Sequence, residues 1–211
     1  MKQHNLEKLQ NILKVIIKIA MWLLGVLILL LLFQSYVEIE FSTISGIIKI
    51  ISFLLVLLIN QFDKKLWKWD FINKHLPDKY WTPIIEGRWE GELNRNGEIR
   101  DFVIEIKQTY TSVSCITYSP TSSSSSIIAD ILYNEQLKIY QLVFYWNGQT
   151  KNTQEGTGDT NRFDGFTTLD IIIKDKKATH LRGAYFTDRQ PYQTKGDLIL
   201  SFRQKELKNG F

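Results

Sequence analysis

The stretch richest in groups able to hold a ligand is Leu181-Arg182-Gly183-Ala184-Tyr185-Phe186-Thr187-Asp188-Arg189, with Thr194-Lys195-Gly196 close behind. Side chains alternate along an extended chain, so Gly183, Tyr185, Thr187 and Arg189 share one face. An aromatic ring, a hydroxyl and a guanidinium on one face can stack a nucleobase and grip a phosphate. Gly183 would let a ligand or another backbone approach closely. The same spacing also fits a Tyr185 that is core and an Arg189 that solvates a turn.

Groups suited to turnover are sparse. His4, His75 and His180 are scattered along the chain, which gives no metal cluster and no His-based triad. Glu90 and Glu92 resemble paired carboxylates, but they alternate with Trp89 and Leu93 and should therefore face solvent. No glycine-rich phosphate loop opens a helix. The residues argue for binding rather than catalysis, and no cofactor is expected.

Strands must position such a site, and after Ile84 the period of the sequence is two. Trp89, Gly91 and Leu93 alternate with Arg88, Glu90, Glu92 and Asn94, and Asn96-Gly97 follows as a type I′ hairpin signal. Phe102, Ile104 and Ile106 alternate with Asp101, Glu105 and Lys107, with Val103 as the exception. Further strands are predicted over Ser112–Ser119, Ile127–Tyr133, Gln136–Trp146, Phe166–Lys174, Thr179–Thr187 and Gly196–Arg203. Breaks are predicted at Pro120–Ser126, where the serine run reads as a mobile hairpin tip, at Asn134-Glu135 and at Asn147-Gly148. About eight short strands with regular turns argue for a sandwich or a small closed barrel.

The N-terminal part is a different material. No charge occurs from Ile19 to Val37, and Phe41 to Phe62 is interrupted only by Lys49. About 20 apolar residues span the roughly 30 Å hydrocarbon core of a bilayer as a helix. Two transmembrane helices are expected, at about 14–37 and 41–62, so that 1–62 forms a membrane anchor. Lys2, Lys8, Lys14 and Lys18 precede the first span, and Lys64, Lys65 and Lys68 follow the second. The segment between, Gln34 to Thr43, has no Lys or Arg, so both termini are expected in the cytoplasm. Residues 63–83 form a connector rich in Lys and aromatics. It fits either a segment lying along the membrane surface or a helix packed on the domain. A binding domain at 84–206 and a tail at 207–211 complete the division. The single Cys115 agrees with a reducing compartment, and the formal charge of +4 is modest. No DNA or RNA polymer is expected as a partner.

In this order, the pieces resemble the two-transmembrane β-barrel effectors of bacterial CBASS antiphage defence. The resemblance rests on the membrane hairpin, the entry strand Ile85-Glu86-Gly87-Arg88-Trp89-Glu90-Gly91, the Gly183-Ala184-Tyr185-Phe186-Thr187-Asp188-Arg189 segment, and Lys195-Gly196-Asp197 with the final strand. It implies an N-terminal transmembrane α-helical hairpin and a small closed antiparallel β-barrel of about eight strands. It further implies a cyclic dinucleotide ligand made by a cognate nucleotidyltransferase (CD-NTase), ligand-induced homo-oligomerisation, contact with membrane lipid, and disruption of the inner membrane. The family pattern carries over the Tyr185-to-Lys195 segment, with Tyr185, Thr187, Arg189 and Lys195 as ligand residues. Residue type and position add Arg162 for phosphate, and Tyr118 and Trp146 for base stacking. A membrane-tethered barrel carrying a lipid or other hydrophobe, and a non-catalytic assembly module, are the competing readings.

Overall fold

The computed structural model describes residues 41–76, 81–150, 162–188 and 193–210, together with Gly25. The chain divides into two units, Met1–Phe62 and Asp63–Phe211. Helix α1, Phe41–Lys64, has 24 residues, about 36 Å at 1.5 Å per residue. Ile50, Phe53, Leu54, Val56, Leu57 and Leu58 are all exposed on it. It covers the second expected span. The first, at about 14–37, lies outside the described residues, and among the described residues no helix is long and apolar enough to cross a membrane.

The second unit carries eight strands closed into a barrel in sequence order. They are β1 (Gly87–Arg95), β2 (Glu98–Gln108), β3 (Val113–Tyr118), β4 (Ser122–Asn134), β5 (Ile139–Thr150), β6 (Arg162–Lys174), β7 (Lys177–Thr187) and β8 (Lys195–Gln204). Every neighbouring pair is antiparallel, and β1 closes on β8 with Gly91 opposite Leu200. Closure leaves no open sheet edge for another chain to extend. The expected all-β barrel is therefore the fold. Its first hairpin turns at Asn96 (φ 53°) and Gly97 (φ 90°), the positive-φ pair of a primed turn.

Two expected breaks lie inside strands. Ser122–Ser126 begins β4 rather than forming a hairpin tip. Its hydroxyls find partners across the sheet: Thr117 Oγ1 lies 2.5 Å from Ser124 Oγ, and the Cys115 amide donates to Ser126 Oγ at 2.9 Å. Asn147-Gly148 likewise lies within β5. Gly148 faces inward, where the Phe163 and Trp146 rings come within 3.0 Å of where its Cβ would stand.

The inner wall is divided along the barrel axis. Toward the end where the chain enters, Trp89, Ile104, Ile106, Leu142, Leu169, Leu181 and Leu200 form a fully buried apolar plug. The connector seals this end. A 3₁₀ turn (Leu66–Lys68) and a short helix α2 (Asp70–His75) lead into it. Trp67 is buried edge-on to Tyr110 at 5.6 Å, and Trp81 packs on Tyr140 at 5.3 Å. The Ile85 amide donates to Gln108 Oε1 at 2.8 Å, and Lys68 Nζ pairs with Glu86 at 2.7 Å. Of the two readings of the connector, packing holds for Trp67 and Trp81, while Trp69 and Phe71 remain exposed.

One ion pair is buried on the outer wall. Arg88 Nη1 donates to Glu105 at 2.9 Å, and both side chains are almost inaccessible. The C-terminal tail covers them: the Lys208 and Asn209 amides donate to the Glu105 carboxylate at 2.7 and 3.1 Å, and Arg88 donates to the Gly210 carbonyl at 2.6 Å. A buried pair persists only when its remaining hydrogen-bonding capacity is met, as the tail does here.

Candidate ligand site at the far end of the barrel

At the end opposite the connector, apolar side chains on the inner wall give way to rings, hydroxyls and glycines. Register sets this. Gly165 pairs with both Trp146 and Thr187, and Tyr185 pairs with Thr167 and Gly196, so all six share the inner face. Trp146 lies across Gly165, where a Cβ would collide with the indole. Its Nε1 donates to Thr167 Oγ1 at 2.9 Å, and its ring meets Phe163 edge-on at 5.8 Å. Tyr185 lies over Gly196, whose Cβ would stand 2.8 Å from the ring. Two glycines thus make room for two rings, a use of glycine that requires close approach rather than an unusual backbone angle.

Hydroxyls and arginines complete this end. Thr187 and Thr194 share a hydrogen bond of 2.8 Å between their Oγ1 atoms, and both are buried. Arg100 stands opposite the buried Leu93, and Arg95 lies two residues beyond Leu93, so both belong to the inner face of the rim. Glu98 holds the Arg100 guanidinium through Nε at 2.9 Å and Nη2 at 2.8 Å. Burial pushes the Tyr185 phenol above its ordinary value; the Arg95 charge, a hydrogen bond with Thr194 and the Arg100 charge oppose that rise. The phenol therefore stays protonated at neutral pH beside two cations, an arrangement suited to an anionic ligand that carries aromatic bases.

Tyr185, Thr187 and Trp146 are thus brought together. Arg162 begins β6 at the same end, exposed and opposite Gln149. Lys195 pairs with Phe186 and so stands on the outer face of the rim. Tyr118 pairs with Val103 on the outer wall, and its phenol is raised by burial and by the nearby Glu105 rather than by anything in the interior. Arg189 lies outside the described residues. Gly183 does admit a backbone, since its missing Cβ makes room for the Thr168 carbonyl of the neighbouring strand. Glu90 is bound by Arg88 at 2.6 Å and Glu92 is exposed, both away from the interior.

Residues 80–201 match the family described as Cap15, cyclic dinucleotide receptor domain. The chain belongs to the Cap15 family. The match covers all eight strands up to Ser201 and both ring-over-glycine pairs, which makes the barrel a cyclic dinucleotide receptor domain of a CBASS effector. It agrees with the resemblance drawn from the entry strand and the Gly183–Arg189 segment. No curated protein matches the chain. Among the described residues no group of three or more His, Cys, Asp or Glu is placed to hold a metal.

Sequence reasoning missed Arg95 and Arg100. The signal available for the arginines was their position: each flanks the Asn96-Gly97 turn on the parity of Leu93 or of its partner strand.

Proposed function

We propose that the chain is a membrane-anchored antiphage effector whose barrel binds a cyclic dinucleotide at the Tyr185–Trp146 end. Ligand binding drives self-association, and the gathered N-terminal helices breach the inner membrane. The observation that carries the binding step is the pair of rings held over Gly196 and Gly165 beside Arg95 and Arg100. Bases stack on the rings, and the arginines, with Arg189 from the family pattern, meet the phosphates. This end lies away from the connector, so a dissolved messenger reaches it even when the other end faces a bilayer.

Anchoring is supported by the uncharged Ile19-to-Val37 run and by the apolar residues exposed around α1. Self-association needs an apolar outer surface. Ile128, Tyr145, Phe166 and Phe186 stand in register across β4 to β7 and supply one. The lipid-carrier reading wants an apolar interior throughout, which the hydroxyls and arginines of the far end disfavour.

The test is co-expression of the full chain with its cognate nucleotidyltransferase, following membrane potential. Wild type should depolarise the membrane. Leu29→Asp, which costs about 2.5–3.5 kcal/mol on insertion scales, should abolish depolarisation and retain ligand binding. Equal toxicity of this variant would show that killing does not run through the membrane.

A further inference from the structure

We infer that the connector end of the barrel is a docking surface for an anionic bilayer, holding the receptor domain upright with its ligand end pointing away from the lipid. The inference rests on the anchored reading proposed above and adds a second, reversible contact to it.

Up-and-down topology brings the connector and the β2–β3, β4–β5 and β6–β7 turns to one end. Two kinds of residue are exposed there. Trp69 and Phe71 on the connector are 60% and 76% exposed, and Leu137 at the β4–β5 turn is 63% exposed. Large side chains left in water at the end where the chain leaves α1 are suited to the headgroup layer, where amphipathic and aromatic groups concentrate. Among them stand exposed lysines: Lys138 beside Leu137, and Lys174 and Lys177 flanking the β6–β7 turn. That turn is rigid. Asp175 and Lys176 take φ of 52° and 59°, a primed turn that holds the flanking lysines at a fixed place.

The connector is tied to the β4–β5 hairpin by contacts rather than by the chain alone. Asn73 of α2 accepts from Trp81 Nε1 at 3.0 Å, Trp81 packs on Tyr140, and Tyr140 packs on Tyr133 at 4.8 Å. The exposed aromatics and the lysine-bearing turns therefore form one body. Glu135 and Asp175 lie among the lysines, so the surface is modestly basic and the apolar groups share the binding. A combined lysine and aromatic surface of this kind fits phosphatidylglycerol-rich lipid, with each lysine near such a surface worth roughly fivefold in the docked population.

The experiment places a polarity-sensitive fluorophore on the full chain in lipid nanodiscs. The native Cys115 is buried and leaves the label specific. Labels go at Leu137→Cys and, as control at the ligand end, at Ile99→Cys. Discs are phosphatidylcholine alone or mixed with phosphatidylglycerol. Docking predicts a blue shift and quenching by lipid-borne spin label at position 137, larger with phosphatidylglycerol, and an aqueous signal at 99. Combined Lys138→Glu, Lys174→Glu and Lys177→Glu should reverse the signal at 137 with unchanged thermal melting. Co-elution of protein with discs but an aqueous signal at 137 would overturn docking and leave the anchor standing. Failure to co-elute would overturn both.

Discussion

The Trp146 indole fills the space that a side chain at Gly165 would need: a Cβ there would stand 2.6 Å from the indole Cε2. The two residues are register partners on β5 and β6, and the indole is further pinned by its hydrogen bond to Thr167. Position 165 therefore controls the shape of this end of the barrel through a ring on the next strand.

Gly165→Ala should evict the indole, break the bond to Thr167 and loosen the far end. Overpacking of this kind costs about 1–3 kcal/mol. Thermal melting and ligand affinity should both fall, because the indole loses the space it occupies over Gly165.

Arg95→Ala and Arg100→Ala should each weaken cyclic dinucleotide binding by roughly ten- to a hundredfold, the worth of a charge-assisted hydrogen bond of about 1.5–3 kcal/mol. Melting should scarcely change, because the Arg100–Glu98 pair is exposed and such pairs contribute little to stability. Calorimetric titration beside a melting curve separates the two effects.

Glu105→Ala should destabilise the barrel, by less than the roughly 3–5 kcal/mol of a buried charge left wholly unpaired, because Glu90 still binds Arg88. It should also free the tail, read as faster hydrogen exchange at Lys208 and Asn209. The neighbouring Glu90 adds a pH dependence. The hydrogen bond from Arg88 holds its carboxyl below the usual range. A carboxylate depressed in the folded state contributes stability that is complete above its unfolded pKa and lost as pH falls through the folded one. Melting temperature should drop below about pH 4.5, and Glu90→Gln should flatten that part of the acid limb.

The strands were legible wherever one face was apolar, because Trp89, Leu93, Ile104 and Ile106 alternate with charge and only a buried inner wall explains that. The serine run was not legible. Its strand character depends on Thr117 and Cys115 of the neighbouring strand supplying partners, which local propensity does not encode. Tyr185 and Thr187 could be placed on one face by parity alone. Tyr118 could not, since parity does not say which face turns inward, and the buried Cys115 and Thr117 decide it against Tyr118. Arg95 and Arg100 flank the Asn96-Gly97 turn, and nothing local marks them as part of a site. Closure of β1 onto β8, and β8 onto β7, brings them to Tyr185 across about 90 residues of sequence.

The most direct test of the central claim is titration of the full chain, in detergent or nanodiscs, with a panel of cyclic dinucleotides, followed by calorimetry and thermal shift. At least one member should bind and raise the melting temperature, with stabilisation of about 2.7 kcal/mol at a ligand concentration one hundred times Kd. That gain should vanish in the Arg95→Ala, Arg100→Ala double variant. If no cyclic dinucleotide binds or stabilises the folded chain, or if the double variant binds as well as wild type, the site at the Tyr185–Trp146 end is contradicted.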